Sequence, residues 1–289
     1  MSVEAGGLDC AGATLPLAQR YRRLWPADHA PAAAVDADIV IVFVRGLFGA
    51  WIPRHFQAPL RRLRALGWTT LIARTRAAGT VEHNRRLLQA QTESLVAAGR
   101  RPLFLAHSKG GLEVLLMLAA EPALADTCAG LVGVQVPRAG APSLESLFQR
   151  AHTASRQGSD PWREPLERAL LTLAGARAAC AELNDADVAA WLRVIDTARF
   201  RFPWLAVATH SERATRSLEL RHRRLDRIAP GRPHDGVFFT ADQVWPQASH
   251  NLQLPDIDHA QPSVGGHGFA HERFWSTLLA LLLGRDRPA

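Results

Sequence analysis

Lysine occurs once in the 289 residues, at Lys109, so the formal charge of +7 and the pI near 10.7 are carried by arginine. That charge is dispersed. No run of five or more basic residues occurs, and the densest patch is Arg221–Arg224. A nucleic-acid-binding face concentrates its cations in a stripe or block, so this patterning argues against a nucleic-acid partner. A positive surface remains compatible with acidic ligands or with peripheral contact to an anionic membrane. Cysteine is also scarce. Cys10, Cys128 and Cys180 are widely spaced, odd in number and form no metal-binding pattern, which points to free thiols in a reducing compartment. Long apolar runs are missing: stretches such as Leu278–Leu283 fall far short of the roughly 20 residues of a transmembrane helix. Met1–Gly12 offers neither a basic start nor an apolar stretch, so no secretory signal is read and a cytoplasmic location is the expectation. There is no internal repeat and no low-complexity linker. A hydrophobic content of 47% over this length supports one large α/β domain with an insertion.

Strand and helix patterns alternate through the first half. Ile39–Val44 is a continuous β-branched and aromatic run, the pattern of a strand buried on both faces. A helix over His55–Leu66 ends at Gly67, a strand follows at Thr69–Ala73, and a helix over Val81–Ala98 ends at Gly99. Leu103–Ala106 is the third strand, Gly111–Ala120 its helix, and Leu131–Val136 the fourth strand. This order predicts an α/β fold, a mostly parallel sheet with helices on both faces. The alternation breaks at about 143 and returns with strands at Pro203–Thr209 and Ser249–Leu254 and a closing helix at Phe274–Leu283. Between them, Leu166–Leu173 and Val188–Ile195 read as helices. The expected organisation is an irregular or loosely docked leader over 1–36, with a helical turn near Leu17–Leu24. An α/β core follows over 37–142 and 199–289, interrupted by a helical insertion over 143–198.

The densest chemical signal is Leu103–Gly111. An apolar strand stops at Ser108, two glycines follow, and apolar residues resume at helical spacing. Strand, tight turn and helix put a serine hydroxyl at the apex of a strained turn, flanked two residues away by the small Ala106 and Gly110. This is the small-x-Ser-x-small form of the nucleophile elbow. The N-terminal amides of the next helix favour an oxyanion developing at the same place.

Ligands of an open parallel sheet bind beyond the carboxyl ends of its strands. Three segments are expected to converge there with Ser108. Arg45–Gly49 follows the first strand, and its glycines let the chain turn with amides exposed. The Leu47 and Lys109 amides are the candidate oxyanion donors. Asp235, before Gly236, is the first candidate for an acid that orients a histidine; the same pattern suits an ordinary Asx turn, and Asp226 and Asp196 are weaker candidates. For the base, His259 follows the last strand, and His267 in a glycine-flanked loop is the alternative; His271 opens the closing helix. His107 is expected to pack or hydrogen-bond within the elbow.

The order Ser, Asp, His is that of the α/β-hydrolases. On Val44–Gly49, Ala106–Gly111, His234–Val237 and Ile257–Ala260, the chain resembles an α/β-hydrolase of the lipase and esterase type, a serine hydrolase. The resemblance spans roughly residues 39–283. It implies Ser108 as nucleophile, Asp235 as acid, His259 as base, and the Leu47 and Lys109 amides as the oxyanion hole, with no cofactor and an apolar acyl ester as substrate. Two positions depart from the pattern. Arg45 stands where related lipases carry histidine; it would contact an anionic group of the substrate or make an ion pair within the fold, and the ion pair is the expectation. Gln261 stands where calcium-containing lipases carry an acid, so no calcium or other metal is expected. Residues 143–198 resemble the cap of such enzymes; Phe148, Trp162, Leu166, Leu170 and Trp191 would line an acyl cavity or pack the cap on the sheet. A thioesterase or acyltransferase would use the same triad, and a non-catalytic binding protein would share only the scaffold.

Overall fold

The first strand, β1 (Ile39–Val44), has no exposed residue, because helices cover both faces of the sheet it belongs to. Its side chains alternate between two apolar layers, with Ile39, Ile41 and Phe43 in one and Val40, Val42 and Val44 in the other. The structure, a computed structural model, describes residues 16–25, 36–144 and 169–284. The sheet is completed by β2 (Thr69–Ile72), β3 (Arg101–His107), β4 (Gly130–Val134), β5 (Trp204–Thr209) and β6 (His250–Leu254), all parallel, in the order β2-β1-β3-β4-β5-β6.

One layer is covered by α1 (Leu17–Leu24), α2 (Gln57–Ala65) and the C-terminal helix. The other is covered by α3 (Val81–Ala97), α4 (Lys109–Ala120) and α5 (Pro122–Thr127). The leader was expected to be irregular or loosely docked. Among its described residues, Leu17, Tyr21 and Leu24 line one face of α1 and are buried against the first layer. Beyond β4 follow α6 (Arg177–Ala181) and α7 (Asp185–Ile195). α7 starts where Asn184 Oδ1 accepts the Asp187 N–H at 2.9 Å, and it buries Val188 and Ile195. Then come α8 (Glu219–Ile228), the short α9 (Gln261–Val264) and α10 (His271–Leu282). No described helix is long and apolar enough to cross a membrane.

Two details differ from the sequence reading. The fourth strand ends at Val134, because Gln135 takes a left-handed φ of 55° and turns its side chain beneath the sheet's carboxyl edge. Of the apolar positions expected to line an acyl cavity or to pack the cap on the sheet, Leu170 does neither and is exposed, whereas Trp191 is half-buried and packs against two apolar clusters. Phe148, Trp162 and Leu166 lie outside the described residues.

The chain runs from β1 outward to β2, then crosses back so that β3 lies on the other side of β1. The loops leaving β1 and β3 therefore diverge from adjacent strands. This switch point opens the crevice at the carboxyl edge of the sheet.

Candidate active site

Ser108 sits between β3 and α4 with φ 57° and ψ −135°, backbone angles that a non-glycine residue adopts only under constraint. The constraint is packing. A Cβ on Gly110 would stand 2.5 Å from the carbonyl oxygen of Arg45, and one on Gly111 would stand 2.2 Å from Val136 Cγ2. Gly46 in turn lies directly over the serine: a Cβ there would be 2.9 Å from Ser108 Cβ. Small residues around the serine thus let the β1 loop rest on the elbow. Among the described residues no hydrogen bond uses the N–H of Leu47 or of Lys109, whereas the next amide in the loop, that of Phe48, donates to the Ala77 carbonyl.

Asp235 is fully buried and serves two purposes with its two oxygens. Oδ1 accepts the Val237 and Phe238 N–H groups, both at 2.8 Å, which builds the Asx turn. Oδ2 is left to accept from His259 Nδ1 at 2.8 Å. The His259 N–H also donates to the Asp235 carbonyl at 2.8 Å, which fixes the ring by its backbone as well. His259 Nε2 lies 2.9 Å from Ser108 Oγ. With Nδ1–H committed to the carboxylate, the Nε2 lone pair faces the hydroxyl and accepts its hydrogen bond. Phe238 packs edge-on against the His259 ring and, with Leu47, belongs to a third apolar cluster at this edge of the sheet.

The loop carrying His259 is held by side chains that no local pattern announces. Asp258, fully buried, accepts the N–H groups of Ala260 and Gln261 on Oδ1 and that of Thr215 on Oδ2. Gln261 accepts the Asp258 N–H at 2.8 Å and donates to the Gly266 carbonyl. His107 does not stay within the elbow. Its Nε2 is shared between Gln135 Oε1 at 2.8 Å and the His259 carbonyl at 3.0 Å, both acceptors, so the ring proton resides there. Gln135 continues the chain to Thr209 Oγ1 and the Asp258 carbonyl. Burial, then the neighbouring rings of His259 and His55, hold His107 well below the ordinary imidazole range, so it stays neutral.

The other candidates lie elsewhere. His267 is exposed and its ring meets the Ala214 carbonyl. His271 pairs with Glu272. Asp196 pairs with Arg138 at 3.2 Å, and Asp226 lies against His222 and His234. Arg45 makes no ion pair among the described residues, contrary to expectation. Its Nε is buried without a partner, and it stands beside His55, whose ring burial and the Arg45 charge push down to about 3.

The Lys109 side chain turns away from the serine into a closed network. Its Nζ lies 2.5 Å from Glu113 Oε1, 3.4 Å from Glu182 Oε1 and 2.8 Å from the Gly79 carbonyl, and it is 1% exposed. Asn84 donates to the same Glu113 oxygen, and Glu182 accepts the N–H that opens α3. The ammonium therefore binds α3, α4 and the segment before α7 together, and its field is neutralised locally.

No family profile matches the sequence and no curated protein matches it. Solved structures do resemble it. A metagenomic carboxyl esterase is similar with a TM-score of 0.65 and 20% identity, over 88% of this chain and 76% of that one. The mature lipase BlEst2 of Bacillus licheniformis is similar with a TM-score of 0.65 and 17% identity, over 87% of this chain and 94% of that one. With its all-parallel six-stranded sheet between helices, the chain has the α/β-hydrolase fold.

Proposed function

We propose that the chain is a serine hydrolase that cleaves carboxylic esters through an acyl-enzyme. The observation that carries this reading is the line Asp235–His259–Ser108, closed by hydrogen bonds of 2.8 and 2.9 Å at the switch point of the sheet. His259 Nε2 takes the hydroxyl proton as Ser108 Oγ attacks the ester carbonyl, and Asp235 stabilises the imidazolium that forms. The uncommitted Leu47 and Lys109 amides receive the oxyanion; a positioned donor of this kind is worth about 3 kcal/mol of barrier. His259 returns the proton to the leaving alkoxide, and water then releases the acid through the same base. That two similar folds are described as a carboxyl esterase and a lipase supports the choice of ester. The apolar cluster around Leu47, Phe238 and Leu183 supports an apolar acyl chain.

A fluorophosphonate probe tests the reading directly. Intact mass should gain a single adduct on the wild type and none on Ser108→Ala; a folded wild type that takes no adduct would refute the proposal. Parallel assays on p-nitrophenyl esters and acyl-coenzyme A thioesters decide between ester and thioester as the bond cleaved.

Asp235→Asn should keep the fold, since an amide oxygen still accepts the Val237 and Phe238 N–H groups. The amide no longer fixes the His259 tautomer, and kcat should fall by about 10⁴-fold. A fall of less than about tenfold would remove Asp235 from the mechanism.

His107 acts through His259 and is a positioning residue. His107→Phe removes the donor that holds the His259 carbonyl and should lower kcat by roughly 10- to 100-fold with KM little changed. His107→Gln restores a donor and should recover part of the loss. Equal kcat values for the two variants would contradict the assignment.

A further inference from the structure

A second cluster of reactive side chains stands behind the acid and takes no part in the line to Ser108. His222 and Asp226 lie one turn apart on α8, and His234 immediately precedes Asp235. His222 Nδ1 is 3.4 Å from Asp226 Oδ2, and His234 Nε2 is 3.0 Å from Asp226 Oδ1. The three donor atoms lie within 4.8 Å of one another. Both rings are buried, whereas the Asp226 side chain is 56% exposed, so the cluster opens to solvent on one side.

The protons of this cluster do not close by themselves. His222 Nε2 is 2.6 Å from the Ser211 carbonyl, a distance that requires an N–H there. In a neutral ring, Nδ1 then has only a lone pair, and that lone pair faces a carboxylate. A metal ion between them would turn both lone pairs into ligands. Each ring nitrogen faces one oxygen of the same carboxylate, His222 Nδ1 at 3.4 Å from Oδ2 and His234 Nε2 at 3.0 Å from Oδ1. Ligands about 2.0–2.1 Å from a tetrahedral zinc are about 3.3–3.4 Å apart, so a small rotation of the exposed Asp226 side chain and a contraction from the 4.8 Å span would seat the ion between both rings and the carboxylate. An imidazole whose other nitrogen donates to a backbone carbonyl is also how metal-binding histidines are oriented.

We infer that His222, Asp226 and His234 form a zinc-binding site that ties α8 to the loop presenting Asp235, with water in the open fourth position. Binding displaces the proton that His234 Nε2 donates to Asp226, and the ring stays neutral by carrying its proton on Nδ1 instead. The contact of the Gly236 N–H with His234 Nδ1, a long one at 3.2 Å, gives way. The inference is independent of the proposed reaction, and its readouts are binding and spectra, so its failure leaves the esterase reading untouched.

The test uses the untagged full chain, stripped with a chelator and titrated with Zn²⁺ against a chromophoric competitor. About one equivalent should bind and raise Tm, and Co²⁺ in its place should give the strong visible absorption of a four-coordinate site. Asp226→Asn, at a half-exposed position the fold tolerates, should weaken Zn²⁺ binding by at least about tenfold, and His222→Ala should abolish it. Asp196→Asn, a carboxylate elsewhere on the surface, should leave it unchanged. No stoichiometric binding, or binding that Asp226→Asn and His222→Ala leave intact, would overturn the inference. Should His222→Ala not fold, Asp226→Asn and the Co²⁺ spectrum decide.

Discussion

Ser108→Ala is expected to lower kcat on a carboxylic ester by about 10⁶-fold while leaving the protein as stable as before. Loss and retention have separate causes. In the proposed reaction the hydroxyl oxygen forms the acyl bond, and no second nucleophile is hydrogen-bonded to His259 Nε2 among the described residues. The backbone strain at φ 57° is the same for serine and alanine, since both carry a Cβ, and the packing that enforces it comes from Gly46, Gly110 and Gly111. The folded state gives up one hydrogen bond at a partly open site, so unfolding free energy should change by less than about 1 kcal/mol. Steady-state assays and a thermal melt on the same preparation measure both quantities. Turnover within about a hundredfold of the wild type would mean that another group carries the chemistry.

Lys109→Met is expected to act in the opposite way, through the fold. The lysine's charge is surrounded by Glu113, Glu182 and Asn84 and does not face the serine. Two carboxylates share one ammonium, and Glu113 Oε2 has no partner at all. Burial outweighs the attraction of Lys109 and pushes the Glu113 carboxyl up to about 7. The folded state therefore holds the Glu113 proton more tightly than the unfolded chain, whose carboxyl titrates near 4.5. Such a group stabilises the fold fully below about 4.5 and progressively less as pH rises towards 7. Removing the cation raises the folded value further and widens that window. The deficit of Lys109→Met against the wild type should be small near pH 4.5 and grow through neutrality, to roughly 3–5 kcal/mol by urea unfolding. Adding Glu113→Gln should restore most of it, because the amide still accepts from Asn84 and needs no countercharge. A deficit that does not change with pH would refute this account.

What the sequence makes legible is what depends on local order. The all-apolar β1 run announces a strand buried on both faces, and the apolar run stopping at Ser108 before two glycines announces the elbow. Asp235 satisfied both descriptions open to it: one oxygen makes the Asx turn and the other meets His259. What is hidden depends on contacts between distant segments. Gln135 and Asp258 hold the His259 loop from within, and a buried glutamine or aspartate looks like any polar loop residue until its partners are in place. The dense basic patch at Arg221–Arg224 conceals a helix: α8 buries little more than His222, Arg224 and Leu225, too sparse a pattern to read as amphipathic. Among the described residues Arg45 has no carboxylate to pair with and stands beside the His55 ring.

The Ser108–His259 hydrogen bond joins residues 151 apart in the chain. The elbow belongs to the centre of the sheet and to the first half of the polypeptide, whereas the histidine arrives only after β6, an edge strand. Synthesis proceeds from the N-terminus, and the first half can collapse while the second is still being made. During that interval the serine is an ordinary alcohol with no base to ionise it. Only when the last strand docks does Ser108 meet His259, so the proposed reactivity towards esters would be withheld from unfinished chains by the order in which the sheet is built.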